Sequence, residues 1–83
     1  IEIADDNRED AIMKRQTEQT VRSLIHLLPD EQKEVLVLRH YANLSFKEIA
    51  DLTNVSINTA LGRMRYALGN MRKLILQKEL NLQ

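Results

Sequence analysis

The stretch Leu44-Ser45-Phe46-Lys47-Glu48-Ile49-Ala50-Asp51-Leu52-Thr53-Asn54-Val55-Ser56-Ile57-Asn58-Thr59-Ala60 decides the fold. Ser45 followed by Glu48 three residues later is a capping box, in which hydroxyl and carboxylate each take the other residue's backbone N–H. Phe46, Ile49, Ala50 and Leu52 then give the apolar side of a helix of about two turns. Asn54 stands where a helix commonly ends in a left-handed residue, a conformation asparagine tolerates better than most residues, though less well than glycine. Ser56 is a good N-cap for a second helix from Ile57. So short a connection makes the two helices cross steeply, and they approach closely only where the contact residue is small, as Ala50 is. That geometry is a helix-turn-helix, whose second helix enters the major groove of DNA. A plain antiparallel helix pair is the other reading of the same pattern.

Helical spacing continues on both sides. Downstream, Ala60, Met64, Ala67, Met71, Leu74 and Ile75 form the buried stripe of a helix running to Leu76 or beyond, with Lys78–Gln83 expected to fray. Upstream, Pro29-Asp30-Glu31 opens a helix whose apolar side is Val35, Leu38 and Tyr41, with Leu36 alongside, ending at Ala42-Asn43. Before Pro29, Ile12, Met13, Thr17, Val21, Leu24, Ile25 and Leu28 form one stripe of a first helix, with Asp6 and Glu9 as its capping pair. The expectation is an all-α, four-helix domain over residues 7–83, with a linker end at 1–6 and the helix-turn-helix at about 45–70.

Composition narrows the function. The 83 residues contain no cysteine and only His26 and His40, so no disulfide, thiolate metal site, metal cluster or nucleophile–base–orienter set can be assembled, and no cofactor is expected. Neither enzyme nor metalloprotein is expected, and both histidines read as helix-surface or capping residues. The longest strictly apolar run, Val35-Leu36-Val37-Leu38, is far short of the roughly 20 residues that span a membrane. No signal peptide is evident, so a cytoplasmic location is expected, and a start at Ile1 suggests a piece of a longer chain. Twelve bases against twelve acids argue, taken whole, against a polyanionic partner. Divided along the chain, residues 1–34 carry nine acids and five bases (−4), and residues 35–83 seven bases and three acids (+4). One end is therefore suited to a polyanion and the other to a different partner, unless the asymmetry is only an unevenly charged solvated surface.

The fourth helix carries Asn58, Thr59, Leu61, Gly62, Arg63, Arg65 and Tyr66 off its buried stripe. Asn58 suits adenine, and Arg63 or Arg65 suits either bidentate contact with guanine or a phosphate. Ser56 and Thr59 are phosphate donors beside the N–H groups of the first turn. Lys47 and Arg39 are placed to touch the flanking backbone. Leu61 suits a thymine methyl or plain packing, and Tyr66 a phosphate, a stacked base or helix packing. Gly62 either permits close approach to DNA or is a tolerated defect that weakens the helix by about 1 kcal/mol. Met13, Met64 and Met71 read as core fillers.

The segments Leu28-Pro29-Asp30-Glu31-Gln32-Lys33-Glu34-Val35, Leu38-Arg39-His40-Tyr41 and Leu44-Ser45-Phe46-Lys47-Glu48-Ile49-Ala50 together resemble region 4 of bacterial sigma factors, above all the extracytoplasmic-function branch of the sigma-70 family. Val55-Ser56-Ile57-Asn58-Thr59-Ala60 with Arg63-Met64-Arg65 is similar to that family's recognition helix, and the resemblance covers roughly residues 20–75. It implies a domain of the winged-helix-like DNA-binding superfamily that binds the upstream (minus-35) promoter element while docking on the β-subunit flap of RNA polymerase. Thr59, Arg63 and Arg65 match positions where the family commonly contacts DNA. The first two helices would face polymerase or an anti-sigma protein. Three residues depart from the pattern: Asn54 for a usual glycine, Leu61-Gly62 for a frequent Lys-Ser pair, and Leu68 for a frequent base. The turn geometry accepts the first; the other two imply a less basic recognition helix with a modest pull of its own on DNA. The alternatives are the output domain of a response-regulator or quorum-sensing activator, and a helical protein-interaction module that does not bind DNA.

Overall fold

Pro29, Asn43 and Asn54 punctuate the chain into four helices among the described residues: α1 (Glu18–Ile25), α2 (Asp30–His40), α3 (Phe46–Thr53) and α4 (Ile57–Asn81). The computed structural model describes Met13 and residues 16–81. The linker end, the Asp6–Glu9 capping pair and Ile12 lie outside these. The all-helical expectation is borne out: the described residues hold no strand.

The first helix is shorter than its apolar spacing predicts. Thr17 is extended (φ −67°, ψ 150°), and its Oγ1 accepts the N–H of Thr20. A threonine side chain that caps a new helix breaks the expected continuous one, because its oxygen competes with the backbone for the same donor. Met13 is nevertheless buried in the common core. At the other end α1 stops at Ile25 rather than Leu28. The N–H groups of Leu27 and Leu28 turn back to the carbonyls of Leu24 (2.9 Å) and Ile25 (3.0 Å), a tighter winding that leads into Pro29.

Pro29 caps α2 without a side-chain bond, and Asp30 and Glu31 occupy the first turn, where the helix dipole favours acids. Val35 and Leu36 are the buried residues of α2, with Leu36 wholly inaccessible; Leu38 is half-buried, and Tyr41 lies at the surface, its ring edge-on to His40. The expected stripe was thus rotated by part of a turn, because both faces of this apolar run look alike in sequence. Asn43 takes a left-handed conformation (φ 58°) and turns the chain into α3. Arg39, expected to touch a DNA backbone, is instead half-buried in this corner. Its Nη1 donates to the Leu44 carbonyl at 3.0 Å, and its guanidinium lies 4.8 Å from the Phe46 ring centroid.

The helix-turn-helix forms as its residues dictate. The Glu48 N–H donates to Ser45 Oγ at 3.1 Å, and the Ser45 N–H donates to Glu48 Oε1 at 2.8 Å. Asn54 adopts φ 61°, ψ 45°, and its N–H and that of Val55 both return to the Ala50 carbonyl. Ile49 and Ala50 are buried, whereas Leu52, placed on the apolar side by spacing, is 64% exposed. The 25-residue α4 is the axis against which the other three helices pack. It stays helical through Lys78 to Asn81, beyond the point where fraying was expected. Its core residues are Ala60, Met64, Ala67, Leu68, Met71 and Ile75, with Leu74 half-buried. Leu68 is therefore a core residue and no substitute for a DNA-facing base. Among the described residues no helix is long and apolar enough to cross a membrane.

Candidate nucleic-acid interface

At about 100° per residue, Asn58, Thr59, Gly62, Arg65 and Tyr66 fall on the side of α4 opposite Ala60, Met64, Ala67 and Met71. Asn58, Thr59, Arg65 and Tyr66 are exposed, Tyr66 at 71%, so the first three turns of α4 present a polar outward face. Leu61 and Arg63 stand on opposite flanks of that face and are half-buried. Gly62 lies at its centre, and a Cβ built on it meets nothing within 4 Å, so no packing in the fold demands a glycine there.

The N-terminus of α4 is built by Ser56 and Thr59. Ser56 Oγ accepts the Thr59 N–H at 3.0 Å and donates its own proton to Thr59 Oγ1 at 3.0 Å. Thr17 and Thr20 form the same arrangement at the start of α1. Ser56 thus closes the turn, and both hydroxyls lie at the exposed start of α4.

Charge on this face is locally offset. Lys47 is exposed on α3 and pairs with Asp51 at 3.3 Å, and Arg63 Nε lies 3.4 Å from Glu31 Oε2 on α2. Lys47 and Arg63 thus each stand beside an acid, which offsets part of the positive charge here. Sequence reasoning missed the Glu31–Arg63 pair, and with it the Gln32–Asn70 hydrogen bond (2.6 Å) that joins the same two helices. No local pattern signals contacts between residues so far apart in the chain.

A second surface lies at the opposite end of α4. Leu27, Leu28 and Pro29 of the α1–α2 connection and Leu74, Leu76 and Leu80 of α4 line an open, mostly apolar groove of about 600 Å³. Leu27, Leu76 and Leu80 are largely exposed. The α1–α2 connection thus shares an apolar surface with the end of α4, whose Leu76 and Leu80 lie four residues apart beside the buried Ile75. Among the described residues no group of three His, Cys, Asp or Glu side chains could hold a metal ion.

A two-turn helix, a left-handed asparagine turn and a longer helix with a polar outward start define a helix-turn-helix domain of the DNA-binding type. Residues 18–68 match the family described as Sigma-70, region 4. The chain belongs to the sigma-70 family, as its region 4. It is also 31% identical over 65 residues to a protein named ECF RNA polymerase sigma factor SigW, of Bacillus subtilis (strain 168). That match covers 78% of this chain and 35% of the relative, so the chain spans about a third of SigW's length. No solved structure gives a significant match. The resemblance to the extracytoplasmic-function type is borne out, and an activator output domain is not favoured.

Proposed function

We propose that this domain recognises the minus-35 element of promoters as part of a sigma factor, with α4 in the major groove. The observation that carries this is the outward face of α4: Asn58, Thr59, Gly62, Arg65 and Tyr66 stand clear of the core in a chain matched to Sigma-70, region 4. Asn58, Arg63 and Arg65 select bases; Thr59 and Lys47 hold phosphates, with Ser56 shaping the turn; Leu61 and Tyr66 border the groove. The apolar groove at Leu27, Leu76 and Leu80, beside the acidic first turn of α2, is the surface for RNA polymerase, through the β-subunit flap, or for an anti-sigma protein. The work is recognition without catalysis, needs no cofactor and takes place in the cytoplasm.

The test is a titration of the chain with duplex DNA at two salt concentrations. Affinity should fall as salt rises, with a shallow slope corresponding to a few phosphates. Replacing Arg65 by alanine should weaken binding by roughly 1–3 kcal/mol if it contacts a base. Binding that is absent or insensitive to salt would instead support a protein-interaction module, the reading that the acid-paired Lys47 and Arg63 favour.

A further inference from the structure

Arg63 leaves α4 toward the first turn of α2 and meets Glu31 across 3.4 Å. The arginine side chain is 25% exposed and the glutamate 69%, so the guanidinium is the lodged partner and the carboxylate reaches over it from solvent. One residue along α2, Gln32 accepts the hydrogen bond from Asn70, and this fixes the two helices in register. Arg63 therefore sits against a braced element.

A guanidinium carries five N–H donors in one plane. With Nε beside Glu31, the two Nη groups still carry donors enough for a base edge. The adjoining carboxylate offsets the arginine's charge and repels phosphate, which makes the pair a poor backbone anchor. Hydrogen bonds to guanine O6 and N7 depend on the direction of the donor fork more than on net charge. A fork already held in place also loses less rotamer freedom on binding. We infer that Glu31 is a specificity-determining positioning residue, which holds Arg63 as a reader of a base rather than an anchor for phosphate. The inference rests on the promoter-recognition reading.

The experiment begins by selecting duplexes from a randomised pool with the wild-type chain at low salt. Absence of enrichment overturns the recognition reading and this inference with it. Kd is then measured for the enriched duplex and for a scrambled duplex of equal composition, with wild type, Glu31→Gln, Arg63→Ala and the double variant. The ratio of the two Kd values should fall roughly 3- to 10-fold in Glu31→Gln, while affinity for the scrambled duplex holds or rises. Adding Glu31→Gln to Arg63→Ala should lower the ratio no further. An unchanged ratio in Glu31→Gln, or an equal fall with and without Arg63, overturns the inference and leaves the recognition reading standing. A thermal melt of Glu31→Gln close to wild type separates positioning from loss of fold, since the carboxylate that is replaced is 69% exposed.

Discussion

Gly62 and the Ser56–Thr59 pair show how a single position divides its chemistry between fold and ligand. Gly62 is helical and has open space around it. Gly62→Ala should therefore stabilise the domain by about 1 kcal/mol, through higher helix propensity, as read by urea denaturation. Because Gly62 lies at the centre of the outward face, the same methyl should weaken DNA binding several-fold. Gly69→Ala, farther along α4, should bring the stabilisation without that loss. Equal DNA affinity in both variants would make Gly62 a tolerated defect and nothing more. Ser56 and Thr59 were both legible as polar groups at a helix start, but the contact between their hydroxyls was not. It is a 3.0 Å approach of two side chains, which sequence spacing allows without requiring it.

Among the elements, α3 is the one whose limits could be read most fully, because every one of its boundaries is made locally. Ser45 and Glu48 close its start, and the Ala50 carbonyl takes the N–H groups that end it. Hydrogen bonds from the Ser45 N–H and hydroxyl hold the Glu48 carboxyl below the usual glutamate range. A carboxyl whose pKa is lower folded than unfolded stabilises the fold fully above the unfolded value, about 4.3. That contribution is lost as the pH falls through the lower, folded value. The melting temperature should therefore drop more on acidification from about pH 6 to about pH 3 in wild type than in Glu48→Gln, which has no carboxylate to lose. Equal drops would show that the capping box adds no pH-dependent stability. The first helix illustrates the reverse case. Its apolar stripe passes through Thr17 without interruption, yet the chain breaks there because a threonine hydroxyl captured the Thr20 N–H. Periodicity measures which side of a helix is apolar and is blind to a side chain that caps from within the stripe.

For the whole molecule, the decisive residue is Leu68, whose place on α4 suggested a lost surface charge and whose side chain is 1% exposed. Leu68→Ala should destabilise the domain by about 2–5 kcal/mol, measured by chemical denaturation. That is a large part of the stability of a small domain, typically about 5–15 kcal/mol. A loss below about 1 kcal/mol would mean that Leu68 lies at the surface. The neutral total charge has a tertiary counterpart: Glu31, from the acidic end of the chain, lies against Arg63 of the basic end, so part of the +4 is offset by contact. The amino-acid sequence by itself determined the helical class, the turn at Asn54, the caps at Ser45 and Ser56 and the outward face of α4. Each of these rests on interactions within a few residues, where spacing and residue type decide the outcome. Only the tertiary structure decided which flank of α4 meets α2, that Arg63 is held by Glu31, that Arg39 serves the α2–α3 corner, and that Leu27 and Leu80 border one groove. Those are contacts between distant parts of the chain, set by how the helices pack, and no local pattern encodes them.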